Sequence, residues 1–95
     1  MAQETDIEKY LISRVAKLGG KQVKHVSPGT NGEPDRLIKL PGHPAALLEL
    51  KRPRGPGPEP LQLLRIQEWL DVGMLAGYAH TMTDVEKFLQ RIKLQ

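Results

Sequence analysis

Glu33-Pro34-Asp35 and, thirteen residues after the aspartate, Leu48-Glu49-Leu50-Lys51 bring two carboxylates and an amine into one short stretch of chain. Phosphodiester cleavage needs those groups: a divalent cation to neutralise developing charge, a water made nucleophilic, and a cation or acid near the departing oxygen. Hard cations such as Mg²⁺ take oxygen ligands and keep several waters. Asp35 and Glu49, with the backbone carbonyl of Leu50 between them, would hold one and leave room for substrate, while Lys51 would hold or polarise the attacking water. Side chains alternate across a strand, so Glu49 and Lys51 share one face and Leu48 and Leu50 the other. Two charges at the end of the apolar run Ala45 to Leu50 carry a desolvation cost that a ligand or partner must offset. Taken alone, an aspartate followed by Glu-x-Lys is more often a turn cap and a surface ion pair than a metal site, so the rest of the chain decides.

The elements that must position these residues are legible in the pattern. Ile7, Tyr10, Leu11, Val15 and Leu18 recur at helical spacing until Gly19-Gly20, predicting a first helix over about residues 5 to 18. A short strand follows over Lys21 to Val26, then turn chemistry from Ser27 to Gly32, which delivers the chain to Asp35. Arg36 to Leu40 and Ala45 to Lys51 read as strands joined by the turn Pro41-Gly42-His43-Pro44, a hairpin carrying the acidic pair on neighbouring strands. Arg52 to Pro60, with four prolines, forms neither helix nor strand and is a stiff loop bearing Arg52 and Arg54. Leu61 to Val72 is a second helix with Leu63, Ile66, Trp69 and Leu70 as its apolar set, and Leu75 to Met82 a fourth strand. Thr83 to Glu86 has the form of a capping box before the stripe Val85, Phe88, Leu89 and Ile92, which closes the chain with a third helix. The order is αβββαβα, without internal repeats.

Composition sets the outer limits. Ninety-five residues point to a single domain over 1–95 with one core. Hydrophobic residues make up 39%, enough for one small core to which oligomerisation could add. A net charge of +3 and a pI near 9.4 favour a polyanionic partner. The absence of cysteine removes disulfides, thiolate nucleophiles and zinc fingers together. No apolar run reaches the roughly 18 residues of a membrane span, and no signal pattern opens the chain. The expectation is a cytoplasmic protein with no membrane partner.

From Ser27 onward, SPGTNGEPDRL, then LLELKRP, then PLQ with Gly73 eleven residues after its glutamine, the chain resembles the virus-type replication-repair nuclease (VRR-NUC) domain of the PD-(D/E)XK superfamily. The opening IEKYLISRVAKLGG and the strand KHVSPG are similar to the stand-alone phage type. The resemblance covers nearly the whole chain. It implies an α/β fold, a three-layer restriction-endonuclease-like αβββαβ core with a C-terminal helix, dependence on Mg²⁺ or Mn²⁺, and cleavage of DNA. It also implies junction-resolving activity, on substrates such as four-way Holliday junctions in DNA repair, and a homodimer in a bacterial or phage-infected cell. By position, Asp35 and Glu49 become metal ligands, Lys51 the lysine of the motif, and Gln62 a residue near the active site. The superfamily commonly adds an acidic ligand from the first helix. Glu4 and Glu8 both qualify; Glu8 ranks slightly first because it lies inside the helix at the edge of the stripe, although Thr5 to Glu8 also fits a capping box.

Phosphate contacts are expected from Arg36, Lys39, Arg52, Arg54 and Arg65 and from the loop Gly29 to Gly32 that includes Asn31, with Arg52 foremost. His25, His43 and His80 lack metal-ligand spacing, and the few aromatics, Trp69 and Tyr78 among them, read as core or interface rather than a stacking platform. The expected function is a divalent-metal-dependent, structure-selective DNA endonuclease. Its rivals are a non-catalytic DNA-binding or assembly module of the same fold, a winged-helix-like regulator with the second helix in the major groove, and a restriction-type nuclease with a defined cleavage sequence.

Overall fold

The computed structural model describes residues 4–95, with Glu4 defined by its backbone alone. The elements are α1 (Glu4–Lys17), β1 (Lys21–Lys24), β2 (Arg36–Lys39), β3 (Ala46–Leu50), α2 (Pro60–Asp71), β4 (Ala76–Ala79) and α3 (Met82–Lys93), in the expected αβββαβα order. They form one four-stranded sheet in the order β1-β2-β3-β4, with β1, β2 and β3 antiparallel in sequence and β4 parallel to β3. A parallel partner requires a crossover, and α2 supplies it.

All five residues of β3 are buried, as befits a strand covered on both faces. Ala46, Leu48 and Leu50 point into the main core, where Ile7, Leu11 and Val15 of α1 meet Val85, Phe88, Leu89 and Ile92 of α3. Leu47 points the other way, into a smaller cluster with Ile66 of α2 and Ala76 of β4, against which Leu37, Trp69 and Met74 pack. The three layers are therefore α1 with α3, the sheet, and α2.

Several local expectations need correction. The box that starts α3 lies two residues earlier than Thr83: Thr81 is the N-cap, its side chain accepts from the amide of Asp84 at 3.0 Å, and Asp84 Oδ2 accepts from the Thr81 amide at 3.2 Å. β4 consequently stops at Ala79 rather than Met82. Thr5 lies inside α1, not at its cap. In α2 only Ile66 is buried, while Leu63 and Leu70 are exposed, because the small cluster has room for little more of that helix than Ile66 and Trp69. No helix among the described residues is long and apolar enough to cross a membrane.

Candidate active site

The hairpin register brings the two carboxylates together. Arg36 pairs with Leu48 and Leu37 with Leu47, so one further step sets Asp35 opposite Glu49 on the same face, where facing Cβ atoms lie roughly 4.5–5.5 Å apart. On the other side of β2 the amide of His25 donates to the Asp35 carbonyl at 2.9 Å, continuing the β1 ladder. On β4, Tyr78 stands opposite Glu49. His25, Asp35, Glu49 and Tyr78 thus form a polar row across the sheet on the side that faces α2.

Each member of the central pair is held. Asp35 Oδ1 accepts from the amide of Leu50 at 3.2 Å, where the strands begin to part. Glu49 Oε2 accepts from Gln62 Nε2 at 3.1 Å and lies 3.6 Å from Lys51 Nζ. Gln62 occupies the third position of α2, and its Oε1 accepts from the Glu59 amide at 2.9 Å. A backbone amide can only donate, so that bond fixes which end of the Gln62 side chain faces Glu49. Burial, followed by the charge of Asp35, pushes the Glu49 carboxyl up to about 7, against a partial opposing pull from Lys51. Two anions held together with one of them desolvated is the arrangement a hard cation satisfies.

The loop before Asp35 is clamped to α2. Glu33 Oε2 accepts from the Trp69 indole at 2.8 Å and lies 3.3 Å from His25 Nε2, whose ring meets Trp69 edge-on. Arg65 Nε donates to the carbonyl of Asn31 at 3.0 Å and stands 4.0 Å from Glu33 Oε1. Gly32 has φ +83°, and a Cβ there would meet Leu61 at 2.8 Å, so only glycine permits this approach. Pro34 is fully buried beneath the clamp.

Several expected site residues are placed elsewhere. Arg36 is buried on the α1 side, ion-paired with Glu8 and donating to Gln22 Oε1 at 3.1 Å, and so cannot reach a phosphate. Its neighbour Asp35 points into the opposite face, and strand parity held that signal. Glu8, engaged with Arg36, lies across the sheet from Glu49; the side chain of Glu4 falls outside the described residues. Among the described residues no group of three or more His, Asp or Glu is arranged to hold a metal ion, which leaves Asp35 and Glu49 as the acidic pair. Arg65 is engaged by Asn31 and Glu68, whereas Arg52 and Arg54 are exposed on the proline loop. Sequence reasoning missed Glu33 and Trp69 as a bonded pair, since residues 36 apart in the chain leave no local pattern. Tyr78, expected in core or interface, stands 46% exposed beside Glu49.

Comparison with known proteins bears on these features. No protein-family model matches the chain. It is 48% identical over 63 residues to a protein named "Putative nuclease p44" from Acyrthosiphon pisum secondary endosymbiont phage 1, a span of 66% of this chain and 67% of that one. A solved structure described as a VRR_NUC domain is 27% identical with a TM-score of 0.84, over 94% of this chain and 97% of that chain. Another, described as a VRR_NUC domain protein, shares the fold at 17% identity and a TM-score of 0.79, over 99% and 91% of the two chains.

Proposed function

Since the chain belongs to the VRR-NUC family of nucleases, we propose that it is a divalent-metal-dependent endonuclease that hydrolyses phosphodiester bonds in branched DNA such as four-way junctions, acting as a homodimer in the bacterial cytoplasm. The observation that carries this is the convergence of Asp35, Glu49, Lys51 and Gln62 on one face where β2 and β3 part. Net charge of +3 suits a phosphate-rich substrate. A two-fold dimer would present two such sites to strands of opposite polarity.

The donor set fits Mg²⁺ or Mn²⁺. Asp35 and Glu49 would hold the ion with the Leu50 carbonyl, and two protein carboxylates agree with the preference of Mg²⁺ for keeping water ligands. When bound, the ion supplies charge neutralisation at the cleaved phosphate and lowers the pKa of a bound water. The protein's own groups do the rest. Lys51 Nζ, beside Glu49 Oε2, holds the attacking water and offsets negative charge as it develops. Gln62 shares Glu49 Oε2 with Lys51 and so helps to fix the orientation of that carboxylate. The Glu33 clamp fixes the loop from which Asp35 emerges, and Arg52 and Arg54 stand ready for backbone phosphates. Glu8 is no part of this ligand set, since Arg36 holds it.

Labelled duplex, flap and four-way junction DNA, incubated with Mg²⁺, Mn²⁺ or chelator, test the proposal. Cleavage is expected only with metal and preferentially on branched DNA. Lys51→Ala should lower the rate by at least about 100-fold while sparing junction binding. Equal binding with and without chelator, with no cleavage in any metal, would instead mark a non-catalytic DNA-binding module.

A further inference from the structure

β4 is the last strand of the sheet, so its outer edge is open, and beside it α2 and α3 enclose a groove of about 470 Å³. Ile66 and Leu70 of α2 with Ala76 and Gly77 of β4 make an apolar floor. Gly77 keeps that floor low, because a Cβ there would press on Phe88 Cε1 at 3.2 Å. Tyr78 forms the wall nearest the candidate site, and Lys87 and Arg91, one turn apart on α3, form the opposite rim. Neither cation has a carboxylate partner among the described residues. The one acid in the lining, Asp84, is occupied by the amides of His80 and Thr81 at 2.9 and 3.2 Å, which hold its pKa below the ordinary carboxyl value.

Two further features aim this groove at the reaction. Tyr78 faces Glu49 in the parallel register, so the Tyr78 wall lies on the same face of the sheet as the carboxylate pair, while Lys87 and Arg91 reach the groove from the α3 layer around the open edge of β4. The Tyr78 ring is itself held edge-on against His80 at a centroid distance of 5.8 Å, and His80 Nδ1 lies 2.8 Å from the carbonyl of Arg52, the residue after Lys51. An exposed aromatic ring in a fixed orientation, an apolar floor and two free cations are what an unpaired nucleotide requires: a surface for the base and charges for its phosphate. The volume suits a small ligand, for which pockets of roughly 300–1,000 Å³ are usual.

We propose that the groove along the edge of β4 is a single-strand subsite, in which Tyr78 stacks one unpaired base next to the cleaved bond while Lys87 and Arg91 bind its phosphate. This rests on the nuclease proposal above and gives it a source of structure selectivity. A base inside continuous duplex must leave its stack to reach Tyr78, whereas a base at a branch point is already free.

The test compares wild type with Tyr78→Ala, Tyr78→Phe and the double variant Lys87→Ala/Arg91→Ala. Each is assayed for cleavage of a four-way junction and a flap relative to unbroken duplex, and for binding of labelled single-stranded oligothymidylate at several salt concentrations. Lys9→Ala/Lys17→Ala on α1, which removes the same charge, serves as control. Tyr78→Ala should lower the branched-to-duplex ratio and oligothymidylate affinity by about tenfold or more, with Tyr78→Phe restoring both. The double variant should reduce the slope of log affinity against log salt by about 0.7, the value for one phosphate charge no longer neutralised; the control should retain the wild-type ratio. A wild-type ratio in Tyr78→Ala overturns the subsite, as does a variant set that changes only the mass of the protein in solution, which would give the groove to a second copy of the chain. Wild type that cuts no DNA in any metal would sink the nuclease proposal, and loss of oligothymidylate binding in Tyr78→Ala would still support the subsite.

Discussion

The two faces of the sheet treat buried charge in opposite ways. On the α1 side Arg36, 5% exposed, is met by the carboxylate of Glu8, an opposite charge. On the α2 side Glu49, 8% exposed, is met by Asp35, a like charge. The first arrangement closes its electrostatics within the protein and leaves the remainder of that face to an apolar core. The second leaves a surplus of negative charge that Lys51, Gln62 and the Leu50 amide moderate in part. β3 divides the two arrangements residue by residue, with Leu48 and Leu50 on the apolar side and Glu49 on the like-charge one.

Truncation on the closed face should produce the largest stability effect. Leu48→Ala removes a side chain with no exposed surface, which costs about 4 to 5 kcal/mol in a core that cannot collapse around the loss, and the thermal midpoint should fall by at least about 15 °C. A smaller loss, read by chemical denaturation, would mean that this face is less tightly packed than its burial indicates.

Glu49→Gln should move stability the other way. Below the ordinary carboxyl value of 4.5 the group is protonated in folded and unfolded chains alike and contributes nothing. Between 4.5 and about 7 the unfolded chain gives up its proton first, so native Glu49 becomes progressively destabilising. Above about 7 the difference of roughly 2.5 pH units, at about 1.36 kcal/mol each, amounts to about 3 kcal/mol. In the absence of divalent cations the amide variant should therefore unfold later than wild type at pH 8 and match it at pH 4, while losing cleavage. Equal midpoints at pH 8 would show that the like-charge pair carries no strain.

Glu8→Gln sharpens the contrast with a smaller effect. It deprives the buried Arg36 guanidinium of its counter-charge and should cost about 2 kcal/mol, less than a fully buried pair because the Glu8 side chain is 38% exposed. The Mg²⁺ concentration needed for half-maximal cleavage should not change. An increase would bring Glu8 into the ligand set and join the two faces functionally.

The hairpin is the most legible part of the molecule. Asp35 and Glu49 lie seven residues on either side of Gly42 in the turn, so closure of the hairpin places them opposite one another. The helices are readable from their stripes, most clearly α3, where all four residues of the expected set are buried. Arg36 departs from expectation because adjacency in sequence is not adjacency in space: neighbouring strand residues face opposite layers. The start of α3 is ambiguous in sequence because Thr81 and Thr83 both precede acidic residues three positions on, and only the backbone path selects Thr81. The clamp at Glu33 and the groove at β4 depend on contacts between distant segments, to which local periodicity is blind.

The amide of Gln62 bonds at both ends, to the backbone where α2 begins and to the carboxylate of Glu49. Fraying of that first turn and loosening of Glu49 are therefore one event. Whatever stiffens the proline loop ahead of the helix also sharpens the aim of the Glu49 carboxylate, and added slack there would blur it without altering any side chain in the centre.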